Sequence, residues 1–280
     1  MSRHQQLEKK AARLAHNPII TVLMGGGLLI ILAALIRDKY PIGVDWDYTF
    51  SQISSFWQTP YAIPTFTNPP WIIPLLPHAW LPLSWGNALN FLLNVTLLIL
   101  VINRYEGKWH TYLMVFTSPF FFDLARTNNV EWIPLLGLLL PHAYGIPLLL
   151  IKPQSLGGII LLWLKKDGVK ILVPSVIILA LSLIIWGPWF LELSLPDNVT
   201  WNFSMWPVGI PLGLYMLYRA YKTDEELLAA AATPFLVPYV APYSLVGLMA
   251  LLGGKYKREV FYVYVGIWAY FVIQLRIDGF

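Results

Sequence analysis

Apolar residues in this chain come in long blocks, not in the alternation of a half-buried strand or the narrow stripe of a surface helix. The first block, Pro18 to Ile36, runs for about 19 residues, enough to cross a bilayer as a helix. Asn87 to Asn103, Thr111 to Ala125, Val169 to Ile185, Pro207 to Tyr218 and Val260 to Leu275 predict further crossings. Between them lie apolar stretches that proline interrupts. WIIPLLPHAWLPLSW is too broken to span and predicts a half-helix or re-entrant segment, because unpaired backbone is tolerated only against protein or a wet cavity. VEWIPLLGLLLPHAYGIPLLLIKPQSLGGIILLWLKK holds about three short segments, readable as one span plus a re-entrant pair or as three tilted spans. Leu227 to Gly253 is split by TPFLVPYVAPY into a short helical hairpin, and Gly25–Gly27 and Gly157–Gly158 predict close helix packing. The pattern predicts an all-α fold, a polytopic integral membrane bundle with several short or broken helices.

Charge orients this bundle. Arg3, Lys9, Lys10 and Arg13 sit in a basic amphipathic segment, residues 1–17, which the positive-inside bias assigns to the cytoplasm. RYEGKWH, KKDGVK, YRAYKTDEE and KYKRE then fall on the same side, leaving residues 37–70 and 186–206 as first and second outer loops. No small-residue cleavage site follows the first apolar run, so it reads as an anchor. Only 12% of the 280 residues are charged, against about a quarter in a soluble domain, and mean hydropathy is +0.60. Residues 18–280 therefore read as a single transmembrane domain, multi-pass, in a prokaryotic plasma membrane. The absence of cysteine excludes disulfides and thiolate chemistry.

The longest stretch that is neither a span nor a plain charged loop is GVDWDYTFSQISSFWQTPYAIPTFTNPP, Gly43 to Pro70. Asp45 and Asp47 lead the candidates: a partly buried carboxylate there could act as general base, and the same acids could equally be solvated or cap a helix. Their Asp-x-Asp spacing could also hold a divalent cation through oxygen. Asp123, Arg126, Asn128, Asn129 and Glu131 form a second cluster, with Asp123 and Arg126 spaced to pair on one helix face. Lys152, between two apolar segments, could neutralise a phosphate or snorkel to the interface. Asn68 joins the substrate-binding candidates, as does Trp201, which with Asn198 and Asn202 could line a sugar site or belong to an interfacial belt. His78 and His142 read as hydrogen-bonded structural histidines, not metal ligands.

These pieces, in this order, resemble the polytopic GT-C-type glycosyltransferases, and among them glycosyltransferase family 87, the polyprenyl-phosphate-mannose-dependent mannosyltransferases. The likeness rests on GVDWDYTF, PYAIPTF, NPPWIIPLLPHAWLP, RTNNVEWIPLL, IKPQSLGGIILLW and ATPFLVPYVAPYSL, from about Pro18 to Gly253. The chain is shorter than is usual there, and Thr127-Asn128 replaces the family's Gly-Gln pair. The resemblance implies inverting transfer of a sugar, a hexose such as mannose, from a polyprenyl-phosphate donor outside the membrane. Asp45 or Asp47 would be the base, and Arg126 and Lys152 would stabilise the departing phosphate. Asn128 and Asn129 would contribute to substrate binding. No cofactor or metal is implied, the lipid-linked sugar being itself a substrate. Expected partners are membrane lipids, that donor and other membrane proteins, with no nucleic acid. Two competing readings are a non-catalytic GT-C-like scaffold subunit of a larger membrane complex and a transporter, for which no inverted repeat is seen.

Overall fold

The structure, a computed structural model, describes residues 18–193 and 202–277, and every regular element among them is helical. The first apolar run forms α1 (Pro18–Ile36). The segment after α1 is not an open loop. A π-turn at Trp46–Phe50, the one-turn helix α2 (Ile53–Phe56), and 3₁₀ turns at Pro60–Ala62, Pro70–Leu75 and Pro77–Trp80 fold into a cap. Its apolar side chains, Trp46, Phe50, Ile53, Ile63, Phe66 and Ile72, are buried in the main core. The prolines make the turns short: each removes an N–H and sets φ, so no ladder of helical bonds can build through Pro69, Pro70, Pro74 and Pro77. The re-entrant expectation for this stretch thus becomes a series of 3₁₀ turns.

The long helix α3 (Leu83–Arg104) runs through the centre and packs against α1 and the cap. The expected crossing from Thr111 to Ala125 is two helices, α4 (Trp109–Phe116) and α5 (Pro119–Thr127). The reason is local: Ser118 accepts the Phe121 N–H at 3.1 Å as an N-cap, and Pro119 takes the first helical position, where its missing N–H costs nothing. α5 ends at Asn128, whose φ of +50° is left-handed, a conformation asparagine tolerates better than most side chains.

Three short helices follow, α6 (Trp132–Leu139), α7 (His142–Leu149) and α9 (Ile159–Asp167), with the single turn α8 (Pro153–Leu156) before the last. α6 and α7 form a close hairpin in which a Cβ on Gly137 would lie 2.9 Å from the Gly145 carbonyl. Two contacts define the levels between which these helices run. His142, at the start of α7, meets Asp167 at the end of α9 at 2.6 Å; Lys152, after α7, meets Asn129 before α6 at 2.5 Å. The chain therefore passes three times between these levels. Each helix spans only ~12–14 Å, less than half of a ~30 Å hydrocarbon slab.

α10 (Val173–Trp186), extended by a 3₁₀ turn at Val169–Leu172, is apolar and packs along one side on α7 and the Pro70–Leu75 turn, with Ser182 its one buried residue and most of its aliphatic side chains exposed. Among the described residues, it and α3 are the two helices long and apolar enough to cross a membrane, by length and composition. α11 (Ile210–Thr223) packs against α12 (Glu226–Leu236), which with α13 (Leu245–Leu252) makes the late hairpin, split as expected, and α14 (Lys257–Ile277) closes the described chain. α14 starts within KYKRE, so Lys257, Arg258 and Glu259 belong to its first turn and not to a loop. The basic turns do share one end of the molecule: Lys165 pairs with Asp224 at 2.8 Å, Lys166 with Glu226 at 2.6 Å, and Lys255 with Glu225. Of the two glycine clusters, Gly158 packs as expected, its N–H bonded to Thr233 Oγ1 at 3.0 Å. Gly25–Gly27 do not; a Cβ on any of them would meet nothing within 4 Å.

Candidate functional site

The site begins with three asparagines on one face of α3. Asn87, Asn90 and Asn94 are spaced i, i+3, i+7 in an otherwise apolar helix, and all three are fully buried. A buried amide must find partners, and these find the irregular segment after α5. Asn90 donates to the Asn128 carbonyl at 2.7 Å and accepts from the Trp132 indole at 2.9 Å. Asn94 donates to the Asn129 carbonyl at 2.7 Å and accepts the Trp132 N–H at 2.8 Å. Asn87 accepts from Asn128 Nδ2 at 2.7 Å and from the Gly43 N–H at 3.0 Å. The ladder thus fixes both the Thr127–Trp132 segment and the start of the cap. Gly43 is required for this approach, since a Cβ there would stand 2.7 Å from the Thr127 carbonyl oxygen.

Asn129 is held in this way with its side chain aimed at two charged groups. Its Nδ2 donates to Asp45 Oδ2 at 2.6 Å and to the Tyr243 hydroxyl at 3.0 Å. Its Oδ1 accepts from Lys152 Nζ at 2.5 Å. Lys152, only 3% exposed, also donates to Glu131 Oε1 and lies 4.8 Å from the centre of the Tyr243 ring. Glu131 is 2% exposed, and Ser155 and Ser244 donate to its carboxylate at 3.1 and 3.0 Å. An ion pair this deep persists because it is hydrogen-bonded as well as paired: the carboxylate accepts from Lys152 and both serines, and the ammonium donates to Glu131 and Asn129.

Asp45 and Lys152 open onto one cavity of about 730 Å³, whose wall also includes Thr49, Thr65, Asn68, Gln154, Tyr239 and the indoles of Trp71 and Trp189. Burial pushes the Asp45 carboxyl above the ordinary carboxylate range; the Asn129 hydrogen bond and the Lys152 charge draw it part of the way back. The arrangement offers a carboxylate of raised basicity, a buried cation one amide away, and hydroxyl, amide and indole groups around an open space. Carbohydrate and phosphate chemistry use these groups. A second cavity of about 570 Å³, at the basic end, is lined by Arg104, His142, Asp167 and Glu226. Its two carboxylates are already paired, with His142 and Lys166.

The candidates read from sequence are placed unequally. Asp45, Asn68 and Lys152 line the cavity, and Asn129 joins two of them. Asn68 is buried and donates to the Ile151 carbonyl at 3.3 Å. Asp47 is half-buried and does not reach the cavity; its backbone carbonyl accepts from Ser51 and Gln52. Arg126 pairs with Asp123 at 2.8 Å, as the spacing predicts, but its side chain is 67% exposed in a separate groove beside Trp268. Asn128 is a buried structural cap. Asn202 shapes its own segment, donating to the Pro238 carbonyl at 2.9 Å, while Asn198, Trp201 and residues 1–17 lie outside the described residues. His78 and His142 are hydrogen-bonded, to Asn90 and Asp167. The sequence reading missed the asparagine ladder, for which the spacing was the available signal, and Tyr239 and Tyr243, which only the late hairpin's return brings to the cavity.

No family model, curated protein or solved structure matches this chain.

Proposed function

We propose that the protein is a multi-pass membrane glycosyltransferase that moves a sugar, a hexose such as mannose, from a polyprenyl-phosphate donor to an acceptor hydroxyl. The observation that carries this reading is the Asp45–Asn129–Lys152 relay on the wall of an open 730 Å³ cavity. Asp45 takes the proton of the acceptor hydroxyl as its oxygen attacks the anomeric carbon. The bond from that carbon to the donor phosphate breaks on the opposite face, and the lipid phosphate leaves with the electron pair. Lys152, held in place by its pair with Glu131, turns its ammonium to that phosphate and donates to it as negative charge grows there. Asn129 fixes the base and the cation relative to each other. Attack and departure on opposite faces invert the sugar.

A lipid donor needs a path for its chain. An apolar groove of about 250 Å³ runs between the Pro70–Leu75 turn, α7 and exposed α10, lined by Pro74, Leu75, Leu148, Ile178 and Leu181. Trp71 borders both this groove and the polar cavity. It is held by its indole bond to the Pro147 carbonyl at 3.1 Å and an edge contact with Trp189 at 5.4 Å. The donor's phosphate at Lys152 and its isoprenoid chain past Trp71 along α10 account for both spaces. In this reading α1, α3, α10 and α14 cross the bilayer, and the half-length helices build the wet interior where irregular backbone is tolerated. A scaffold subunit has no need of an open cavity holding a basic carboxylate, which favours the enzyme.

The test is transfer of radiolabelled sugar from polyprenyl-phosphate donors by purified protein in detergent. Asp45→Asn lowers transfer by about 10²–10⁴-fold, the range for losing a general base. Asp47→Asn, away from the cavity, stays within a few-fold of wild type. No transfer from any donor, together with stoichiometric membrane-protein partners in the purified sample, would sink the enzyme in favour of the scaffold.

A further inference from the structure

A second binding surface lies at the basic end, remote from the cavity. α4 and the first turns of α14 enclose a groove of about 420 Å³, lined by Trp109, His110, Leu113, Met114, Lys257, Arg258 and the aromatics of α14. Its floor is apolar and its rim is not. Lys257 and Arg258 are exposed, and neither has an ion-pair partner among the described residues, whereas Lys165, Lys166 and Lys255 nearby are each neutralised. These two cations also open α14, where the helix dipole already adds positive charge; Glu259 is the first turn's one acid. In the same groove His110 Nε2 is buried without a hydrogen-bond partner, an unusual state for a ring nitrogen.

We propose that this groove binds an anionic phospholipid, its phosphate on Lys257 and Arg258 within reach of His110, and one acyl chain along Leu113, Met114 and Phe261. Two observations select a lipid over a protein segment. Trp109 and Tyr262, 75% and 70% exposed, flank the cationic rim as interfacial aromatics do. Beyond them the exposed apolar face continues down α14 through Val265, Val272 and Ile273, so the groove changes from cationic to hydrocarbon-like along its length, as a phospholipid does. The proposal rests on the membrane placement above and is independent of the transferase chemistry.

The test titrates full-length detergent-purified protein with phosphatidylglycerol and phosphatidylcholine, counting bound lipids by native mass spectrometry. Near an anionic lipid surface each cation contributes roughly five-fold, so wild type should prefer phosphatidylglycerol by about 25-fold. Lys257→Gln/Arg258→Gln should remove most of that preference with phosphatidylcholine binding unchanged. Lys165→Gln, already paired with Asp224, should keep it. Equal affinity for the two lipids in wild type overturns the site, as does a loss in Lys165→Gln as large as in the double variant, which marks diffuse attraction. Failure of the membrane placement itself reads differently: the protein then remains monodisperse without detergent.

Discussion

Breaking the Lys152–Glu131 pair gives the sharpest view of how the site is built. Both side chains are nearly inaccessible, 4% and 2% exposed. Glu131→Leu leaves the ammonium with only Asn129 Oδ1 and the Tyr243 ring, and leaves the Ser155 and Ser244 hydroxyls without their acceptor. Removing one partner of a buried pair costs roughly 3–5 kcal/mol, and Lys152→Met should cost a similar amount by stranding the carboxylate. The double variant strands neither charge. It still loses acceptors for two hydroxyls, at about 1 kcal/mol or more each, so its total should be roughly equal to one single variant and not to their sum. The predicted coupling is therefore about the cost of one single variant, roughly 3–5 kcal/mol. Unfolding in mixed micelles, followed by the fluorescence of the chain's 13 tryptophans, measures it without a thiol dye, which a chain with no cysteine could not take. Additivity within about 0.5 kcal/mol would refute the reasoning, because residues that do not share an interaction add.

Two further outcomes concern the base and the ladder. Asp45 must be ionised to accept a proton, and burial raises its folded-state pKa, so kcat/KM should fall as pH drops through a value above the ordinary carboxylate range. Lys152 lowers that pKa, so Lys152→Met should move the acid limb of the residual activity to higher pH; a limb that stays put or moves down refutes Asp45 as the titrating base. Asn90→Ala strips the Asn128 and Asn129 carbonyls and the Trp132 indole of a shared partner and should cost roughly 2–4 kcal/mol in the same unfolding assay, whereas a change under about 1 kcal/mol would mean that the ladder does not hold the segment.

The all-helical class, the first helix from Pro18 to Ile36 and the split late hairpin could be read from apolar block length and proline position. Helix and turn formation depend on residues a few places apart, and proline acts on its immediate neighbours, so such features survive in the one-dimensional pattern. The Asp123–Arg126 pair is of the same kind. The break at Ser118-Pro119 was equally local, and its cap shows what a purely hydropathic reading overlooks.

The site is another matter. Asp45 and Asp47 differ in sequence only by position, yet the π-turn directs one into the cavity and leaves the other outside it. Arg126 and Lys152 were equivalent as phosphate partners until packing left one on the surface and buried the other against Glu131. Partnerships such as Asn129 with Asp45, or Glu131 with Ser244, join residues 84 and 113 positions apart. Composition and periodicity carry no information over such separations. That the chain is helical, apolar and rich in candidate polar groups is a property of its order of residues alone. Which of those groups share one cavity is a property of the packed molecule, because burial, hydrogen bonding and charge pairing depend on distances that folding alone creates.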